Sequence, residues 1–305
     1  MSFSSDVKRE LAQVNSESRD QMLAECYGFL LFSGKFSSRE IKFKTENKNS
    51  AARFESLITE LFSPEIEKES VYKGSSKKQG LYKLNISSAD DCKRIFEFYG
   101  HSSKDIRLMI NRANIDDESL YAPFLRGAFL SCGSVTDPKK SYHLELNVQH
   151  KTLADNLVHL INEIEVLTVK PKVVGRKGVH VVYFKGNTGI SDFLGFIGAG
   201  NSVMTVIETS AYKEVMNRVN RTQNSELANI RKLASASAKQ RRAIRKIIDS
   251  GEFDDLGDDL KKLALLRLEN PEMSLKELGE NLDPPISRSG VNHRLERLYK
   301  IADNL

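Results

Sequence analysis

One nine-residue pattern occurs twice in this chain, and its repetition constrains the fold more than any other sequence feature. The first copy is Cys26-Tyr-Gly-Phe-Leu-Leu-Phe-Ser-Gly34, and the second, 99 residues later, is Leu125-Arg-Gly-Ala-Phe-Leu-Ser-Cys-Gly133. Each copy has glycine at its third and ninth positions and mainly apolar residues between them. An internal repeat of this kind indicates a duplicated structural unit.

The segments that follow the two copies also match each other. Alternating apolar and polar residues predict strands, and apolar residues at helical spacing predict helices. The predicted strands lie at 41–45, 65–72, 81–86, 142–148, 164–169 and 179–184. Helices are predicted at 51–61, 153–161 and 191–199. We therefore expect a short helix within residues 1–20, then an α+β domain at 21–210 with halves at 21–100 and 119–200.

The repeated pattern resembles the LAGLIDADG motif of homing endonucleases, in which two such helices pack together through their glycines. Glycine suits that contact because it has no Cβ. In that family the acid at the eighth position binds metal ions that cleave DNA, and Mg²⁺ prefers such oxygen ligands. Here the eighth positions are Ser33 and Cys132, and the sixth positions are Leu31 and Leu130. The resemblance implies a two-repeat αββαββα scaffold. With no acid at either eighth position, it implies no catalytic residues and no metal.

These residues also have purely structural interpretations. A glycine-framed apolar nonamer is also common in ordinary buried helices, although the repetition argues against coincidence. Cys132 is expected to be a small buried side chain rather than a nucleophile. The run from Gly195 to Gly200 lacks the spacing of a dinucleotide-binding loop, and the six histidines lack metal-ligand spacing.

Composition narrows the class of protein further. The three cysteines, Cys26, Cys92 and Cys132, are an odd number at long spacings, which excludes a disulfide framework and fits a reducing compartment. The start of the chain has no apolar segment typical of a signal peptide, and no apolar stretch is long enough to span a membrane. We therefore expect a cytoplasmic protein. Because neither eighth position is an acid and no cofactor-binding motif is present, we also expect that it is not an enzyme and has no cofactor.

A basic block precedes the end of the chain. A short helix is predicted at 212–219 and a long polar helix at 221–248, which Gly251 ends. Residues 231–246 contain seven bases and no acid, although the net charge of the whole chain is only +5. The bases are Arg231, Lys232, Lys239, Arg241, Arg242, Arg245 and Lys246. Such a block is often only a solvated face, but beside a DNA-binding motif it favours phosphate anchoring and strong salt dependence.

Residues 251–305 are predicted to form a helix-turn-helix domain, with 211–250 as a linker and basic helix. Ser274 and Glu277 form a capping box that begins a helix. Pro284 ends it, because proline disfavours a helical residue before it. Ser287 is expected to cap the second helix. The buried stripe of that helix is predicted to be Val291, Leu295 and Leu298.

The opposite face of this second helix carries hydrogen-bonding side chains that suit base edges in a major groove. The residues expected to contact DNA are Ser287, Arg288, Ser289, Asn292, His293, Arg297 and Lys300. Arg297 and Lys300 lie further along the helix and suit phosphate contacts. The alternative is a small helical bundle with a solvated polar face.

Several features together resemble the WhiA family, over nearly the whole chain. They are residues 2–11, the two degenerate LAGLIDADG helices, residues 190–199 and residues 289–295. The layout of 274–301 also resembles region 4 of sigma factors. The WhiA resemblance implies a sequence-specific DNA-binding transcriptional regulator tied to cell division and chromosome segregation, and to sporulation in spore formers.

The same resemblance implies double-stranded DNA as the partner and a nucleoid-associated location. RNA polymerase, a sigma factor and other regulators are further candidate partners. Weak DNA affinity is also expected from the saddle-shaped sheet of the scaffold, where Arg39, Lys42 and Lys44 are candidates. Two alternatives remain open, namely a nuclease that recruits acids from elsewhere in the scaffold and a scaffold at 1–210 that binds a protein or small ligand.

Overall fold

The computed structural model describes residues 2–72, 80–105 and 107–305. The chain divides into two compact units, one ending at Lys213 and the other comprising Glu214–Leu305. Each unit has its own hydrophobic core. The first unit mixes helices and sheets and the second is helical, which confirms the predicted fold class.

The first unit contains an N-terminal helix and two copies of one arrangement of helices and strands. The N-terminal helix is α1 (Phe3–Leu11). The first copy is α2 (Arg19–Leu31), β1 (Lys35–Phe36), β2 (Ile41–Thr45), α3 (Lys48–Phe62), β3 (Ile66–Tyr72), β4 (Gly80–Ile86) and α4 (Ala89–Phe98). The second copy is α5 (Tyr121–Cys132), β5 (Gly133–Val135), β6 (His143–Val148), α6 (Lys151–Glu163), β7 (Lys172–Arg176), β8 (Val179–Lys185) and α7 (Asn187–Phe196).

Each copy builds one antiparallel sheet with the same strand order. The sheets run β1-β2-β4-β3 and β5-β6-β8-β7. Alternation along β2 turns Ile41 and Phe43 into the core and leaves Lys44 exposed, as the period of two predicts. Two short helices of the tight 3₁₀ type, Arg112–Asn114 and Glu118–Leu120, precede α5 between the copies.

One predicted strand is wrong. Residues 164–169 form no strand, and the edge strand of the second sheet is β7, a few residues later. Ile164, Leu167 and Val169 are nevertheless buried. The apolar pattern of this segment therefore reflects side chains that point into the core from irregular backbone, without the hydrogen bonds of a strand.

The glycines of the repeated pattern lie where the α2 and α5 backbones touch. A Cβ atom added at Gly28 would collide with the carbonyl oxygen of Phe124. One added at Gly127 would collide with the carbonyl oxygen of Glu25. The contact is thus reciprocal, with each helix pressing its backbone against the other at a position that has no side chain.

A buried ion cluster lies beside this contact. The Glu25 side chain is fully buried, and it accepts hydrogen bonds from Arg53 Nε (2.8 Å) and from Arg126 Nε (3.2 Å). Arg126 also donates through Nη1 to the carbonyl oxygen of Ile197 at 3.2 Å. Removing one member would leave a buried charge without its partner, which is strongly destabilising. The cluster therefore fixes α2 and α5 to α3 and to the end of α7.

A single helix, α8 (Gly200–Asp249), begins in the first unit and ends in the second. The prediction of separate helices at 212–219 and 221–248 is therefore wrong, since no break occurs near residue 220. The remaining helices are α9 (Asp258–Glu269), α10 (Leu275–Glu280) and α11 (Arg288–Asn304), with a 3₁₀ turn at Glu252–Asp255. Ile244 and Ile247 of α8 belong to the core of the second unit. The domain boundary predicted at 251 consequently moves towards the amino terminus.

Gly28→Ala is expected to destabilise the first unit by about 3 kcal/mol, because the added methyl group meets backbone atoms that have little freedom to move. The measurement is the denaturant midpoint of the full chain, followed by far-ultraviolet circular dichroism. Gly175→Ala in β7 is the matched control, since an added Cβ there has nothing within 4 Å. Equal midpoints for the two variants would contradict the close contact.

Candidate nucleic-acid interface

The second unit contains a helix-turn-helix formed by α10 and α11. The Ser274 hydroxyl accepts from the Glu277 backbone N–H, and the Glu277 carboxylate accepts from the Ser274 backbone N–H, which confirms the capping box. The turn is tight at Gly279, where a Cβ atom would collide with the carbonyl oxygen of Ile286. The Ser287 hydroxyl then caps α11 by accepting from the Gly290 N–H at 3.2 Å.

The recognition helix α11 has one buried face and one exposed face. Val291, Leu295 and Leu298 are each at most 2% exposed, as the apolar stripe predicts. All seven residues predicted to contact DNA are exposed, namely Ser287, Arg288, Ser289, Asn292, His293, Arg297 and Lys300. The buried stripe fixes the rotation of the helix, so these side chains share the solvent side of the unit.

Some of these exposed side chains already have partners. The Asn292 amide donates to Glu296 at 2.9 Å, and the Ser287 and Ser289 hydroxyls are hydrogen-bonded at 2.9 Å. Arg297 lies 3.6 Å from the Asp259 carboxylate of α9. Among the described residues, Arg288, His293 and Lys300 make no side-chain hydrogen bond or ion pair. These three are the side chains most available to a ligand.

The basic block of α8 lies on the outside of the second unit. The inward face of this part of α8 is made by Gln240, Ile244 and Ile247, all of which are buried. The exposed bases are Arg231, Lys232, Lys239, Arg242, Arg245 and Lys246, and Arg241 is half-buried. Most of these positive charges therefore face solvent, and residues 231–246 contain no acid that could pair with them.

Lys246 has a role that the sequence did not suggest. Its ammonium group donates to the carbonyl oxygen of Ala302 at 2.8 Å. Ala302 lies in the last turn of α11, where carbonyl groups lack partners within the helix and favour a nearby cation. Lys246 thus stabilises the end of the recognition helix, although its sequence position predicts a phosphate anchor.

Arg267 was also missed by sequence reasoning. It is only 2% exposed, and its Nη1 donates to the carbonyl oxygens of Asn270, Pro271 and Met273, the last at 2.7 Å. Burial lowers the pKa of the Arg267 guanidinium. Nothing in the pattern of α9 separates this arginine from a solvated one, because its partners are backbone atoms of the following loop.

Ser33 and Cys132 stand at the two positions where LAGLIDADG nucleases carry acids. The Ser33 hydroxyl donates to the carbonyl oxygen of Leu30 at 2.8 Å. Burial raises the pKa of the Cys132 thiol to about 12, so the thiol is protonated at neutral pH. The ammonium group of Lys8 donates to the carbonyl oxygen of Leu130 at 3.2 Å. Within the described ranges, no cluster of three or more His, Cys, Asp or Glu residues suits a metal ion.

The exposed face of the first sheet carries both signs of charge. Lys42 and Lys35 pair with Glu40, and these contacts lower the pKa of Glu40 to about 2. Lys83 pairs with Glu69 at 2.9 Å. Lys44 is exposed on β2, and Arg39 is exposed in the turn before it. The glutamates partly neutralise the cationic surface that was expected to add DNA affinity.

Comparison with known proteins agrees with this architecture. The family model described as the WhiA C-terminal HTH domain matches residues 219–302, and that of the WhiA LAGLIDADG-like domain matches 121–216. A "Probable cell division protein WhiA" from Alkaliphilus metalliredigens is 36% identical, covering 99% of this chain and 98% of the relative. One with the same name from Clostridium beijerinckii is also 36% identical, covering 100% and 99%.

Solved structures agree as well. The crystal structure of full-length DUF199/WhiA from Thermatoga maritima is similar with a TM-score of 0.60 and 28% identity, covering 100% of this chain and 99% of that one. The N-terminal LAGLIDADG domain of DUF199/WhiA matches 65% of this chain and 92% of its own, with a TM-score of 0.50 and 24% identity.

Fold and site together define a protein with a degenerate LAGLIDADG-like domain followed by a helix-turn-helix domain. Both domains match family models of the same name, and the relatives align over nearly their full length. The chain belongs to the WhiA family. In the part of the chain that the structure describes, no helix is long and apolar enough to cross a membrane.

The Lys8 environment has a measurable pH dependence. Burial lowers the pKa of Lys8 from 10.5 to about 8, so between these values the unfolded chain binds the proton more tightly than the folded chain. Stability contributed by this residue therefore rises with pH across that window. The unfolding free energy of wild type minus that of Lys8→Met should therefore rise from pH 8 to 10.5. Cysteines and tyrosines also titrate in this pH range, but they are present in both proteins, so the subtraction removes their contribution. A difference that stays constant would contradict the burial of the Lys8 ammonium group.

Proposed function

We propose that this protein is a sequence-specific regulator that binds double-stranded DNA, acts in cell division and chromosome segregation, and does not cleave DNA. The observation that carries the proposal is the exposed face of α11. Arg288 and His293 lie there without partners among the described residues, on a helix whose rotation is fixed by a buried stripe. Such a helix presents its first turns to the major groove in helix-turn-helix proteins.

The basic block of α8 is proposed as a second contact surface. Arg231, Arg242 and Arg245 are exposed, and their segment of α8 contains no acid. Cations in such a position neutralise phosphates without reading bases, so they add affinity for every sequence. Arg297 is weaker support for a phosphate contact, since Asp259 already lies beside it.

The absence of nuclease activity is proposed from the chemistry of the two helix ends. A hydroxyl at Ser33 that donates to a carbonyl oxygen and a protonated thiol at Cys132 are poor ligands for Mg²⁺, which prefers carboxylate oxygens. The Lys8 ammonium near Cys132 adds positive charge where a nuclease would bind a cation. The alternative of acids recruited from elsewhere has no cluster to support it among the described residues.

The biological role rests on the relatives. Two relatives that align over nearly their full length are named as probable cell division proteins, and this supports the cell-division role here. Association with the nucleoid, a role in sporulation, and contacts with RNA polymerase, a sigma factor or other regulators follow from the family and motif resemblance. Mapping of bound sites by crosslinking would supply the target sequence for the experiments below.

The double variant Arg288→Ala with Asn292→Ala tests the recognition helix. We expect specific affinity for the target to fall at least about tenfold, because a good base contact contributes about 1–3 kcal/mol. Affinity for unrelated DNA should fall much less. The measurement is a titration of both DNAs by fluorescence anisotropy. Since both side chains are exposed, the thermal midpoint should stay near the wild-type value, and unchanged specificity in a folded variant would show that α11 does not read the target.

The matched comparison is Arg231→Gln, Arg242→Gln and Arg245→Gln together. These changes should weaken binding to both DNAs by a similar factor, and the salt slope should flatten by about one for each phosphate that is no longer neutralised. A variant that lost only specific binding would place base reading on α8 and overturn the division between the two surfaces.

Incubation of the protein with supercoiled DNA and Mg²⁺ or Mn²⁺ tests the nuclease alternative. We expect the DNA to remain supercoiled over the time in which an active homing endonuclease goes to completion. Nicking that copurifies with the protein, and that is unaffected by the α11 double variant, would support an enzyme.

A further inference from the structure

A cationic cleft lies between the basic helix and the start of the recognition helix. Its volume is 590 Å³, and side chains of α8, α9, α10 and α11 line it. Lys232 of α8 and Arg288, the first residue of α11, both face this cleft. The two surfaces proposed to contact DNA therefore meet there, within one compact unit.

The charge of the cleft is one-sided. Its lining includes four cations and no carboxylate. The cations are Lys232, Arg267, Lys276 and Arg288. Among the described residues the only ion pair that these four make is between Lys276 and Glu280, and it is long, at 3.7 Å. Cations brought together without acids repel one another, so an anion in this cleft would lower the free energy of the unit.

Two buried side chains that line the cleft each have one polar atom without a partner among the described residues. Gln240 is 7% exposed, and its amide oxygen makes no hydrogen bond. Arg267 is 2% exposed, and its Nε makes none either, since its three hydrogen bonds all leave from Nη1. Buried polar atoms are normally satisfied, and each exception needs an explanation. A primary amide also presents its NH₂ group once it rotates, so Gln240 is able to donate to an oxyanion.

We infer that this cleft binds one phosphate of the DNA backbone, next to the groove that α11 enters. Lys232 and Lys276 neutralise the phosphodiester, and Gln240 donates a hydrogen bond to one of its oxygens. Arg288, which also lines the cleft, keeps the base contact proposed above. The inference rests on the proposed DNA-binding function and adds residues to it. A backbone phosphate is the source assigned here because the cleft adjoins the first residue of α11, and a strand passes the start of a recognition helix when it docks.

The test uses the full chain with two cleft variants. Lys276→Gln removes one cation from an exposed position, and Gln240→Glu places a negative charge in the cleft with little change of shape. Lys262→Gln is the matched control, since Lys262 is an exposed lysine of the same unit that does not line the cleft. DNA affinity is measured over a range of salt concentrations for all four proteins.

We expect Lys276→Gln to flatten the salt slope by at most about one and to weaken binding by up to roughly tenfold at about 0.1 M salt, because Lys232 still faces the phosphate. Gln240→Glu should weaken it at least as much, and Lys262→Gln should leave it near the wild-type value. A neutral methylphosphonate placed at each phosphate in turn should identify one position whose effect disappears in Lys276→Gln. That coupling would assign the phosphate to the cleft.

The contrary outcomes are distinct. If wild type binds the target but both cleft variants behave like Lys262→Gln, the cleft inference is wrong and the proposed function stands. If wild type binds no DNA, the proposed function fails and this inference fails with it. A further experiment measures the thermal midpoint in the presence of inorganic phosphate. If phosphate raises the thermal midpoint of wild type but not of Gln240→Glu, while DNA affinity is equal in both, the site takes a free phosphate and the backbone assignment is overturned.

Discussion

The backbones of α2 and α5 touch at Gly28 and Gly127, and the first unit is organised around that contact. Each helix belongs to one copy of the duplicated arrangement, so the contact joins the two halves directly. It also brings Arg126 of α5 to the fully buried Glu25, which Arg53 of α3 contacts from within the first copy. The close approach thus depends on two positions without a side chain, and a single added methyl group would oppose it.

Sequence patterns predicted the elements whose side chains alternate between core and solvent. The duplicated halves, the capping box at Ser274 and the stripe on α11 were all recovered in this way. The failures have two physical origins, namely apolar burial without strand pairing and side chains that bind backbone carbonyl groups. Ile164, Leu167 and Val169 are buried without strand pairing, and Lys246 and Arg267 donate to carbonyl oxygens. Such partners leave no trace in residue type or spacing.

The second unit contains a local concentration of positive charge that the net charge of the chain does not show. The chain carries +5 overall, yet residues 231–246 alone carry seven bases. Folding then divides those bases between two tasks. Lys246 supports the end of α11, whereas most of the others face solvent. The position of charge relative to α11 is therefore more informative than its amount, and only the structure shows that Lys232 and Arg288 share one cleft.

The local contacts of Ser33 and Cys132 have a consequence for how the first unit folds. Carboxylates at the ends of two touching helices would repel each other until a cation neutralised them. A hydroxyl that donates to Leu30 and a thiol that stays protonated carry no such penalty. Catalytic acids are a common cost to stability, and their removal commonly relieves it. The contact between α2 and α5 therefore forms without a pair of carboxylates that a cation would have to neutralise.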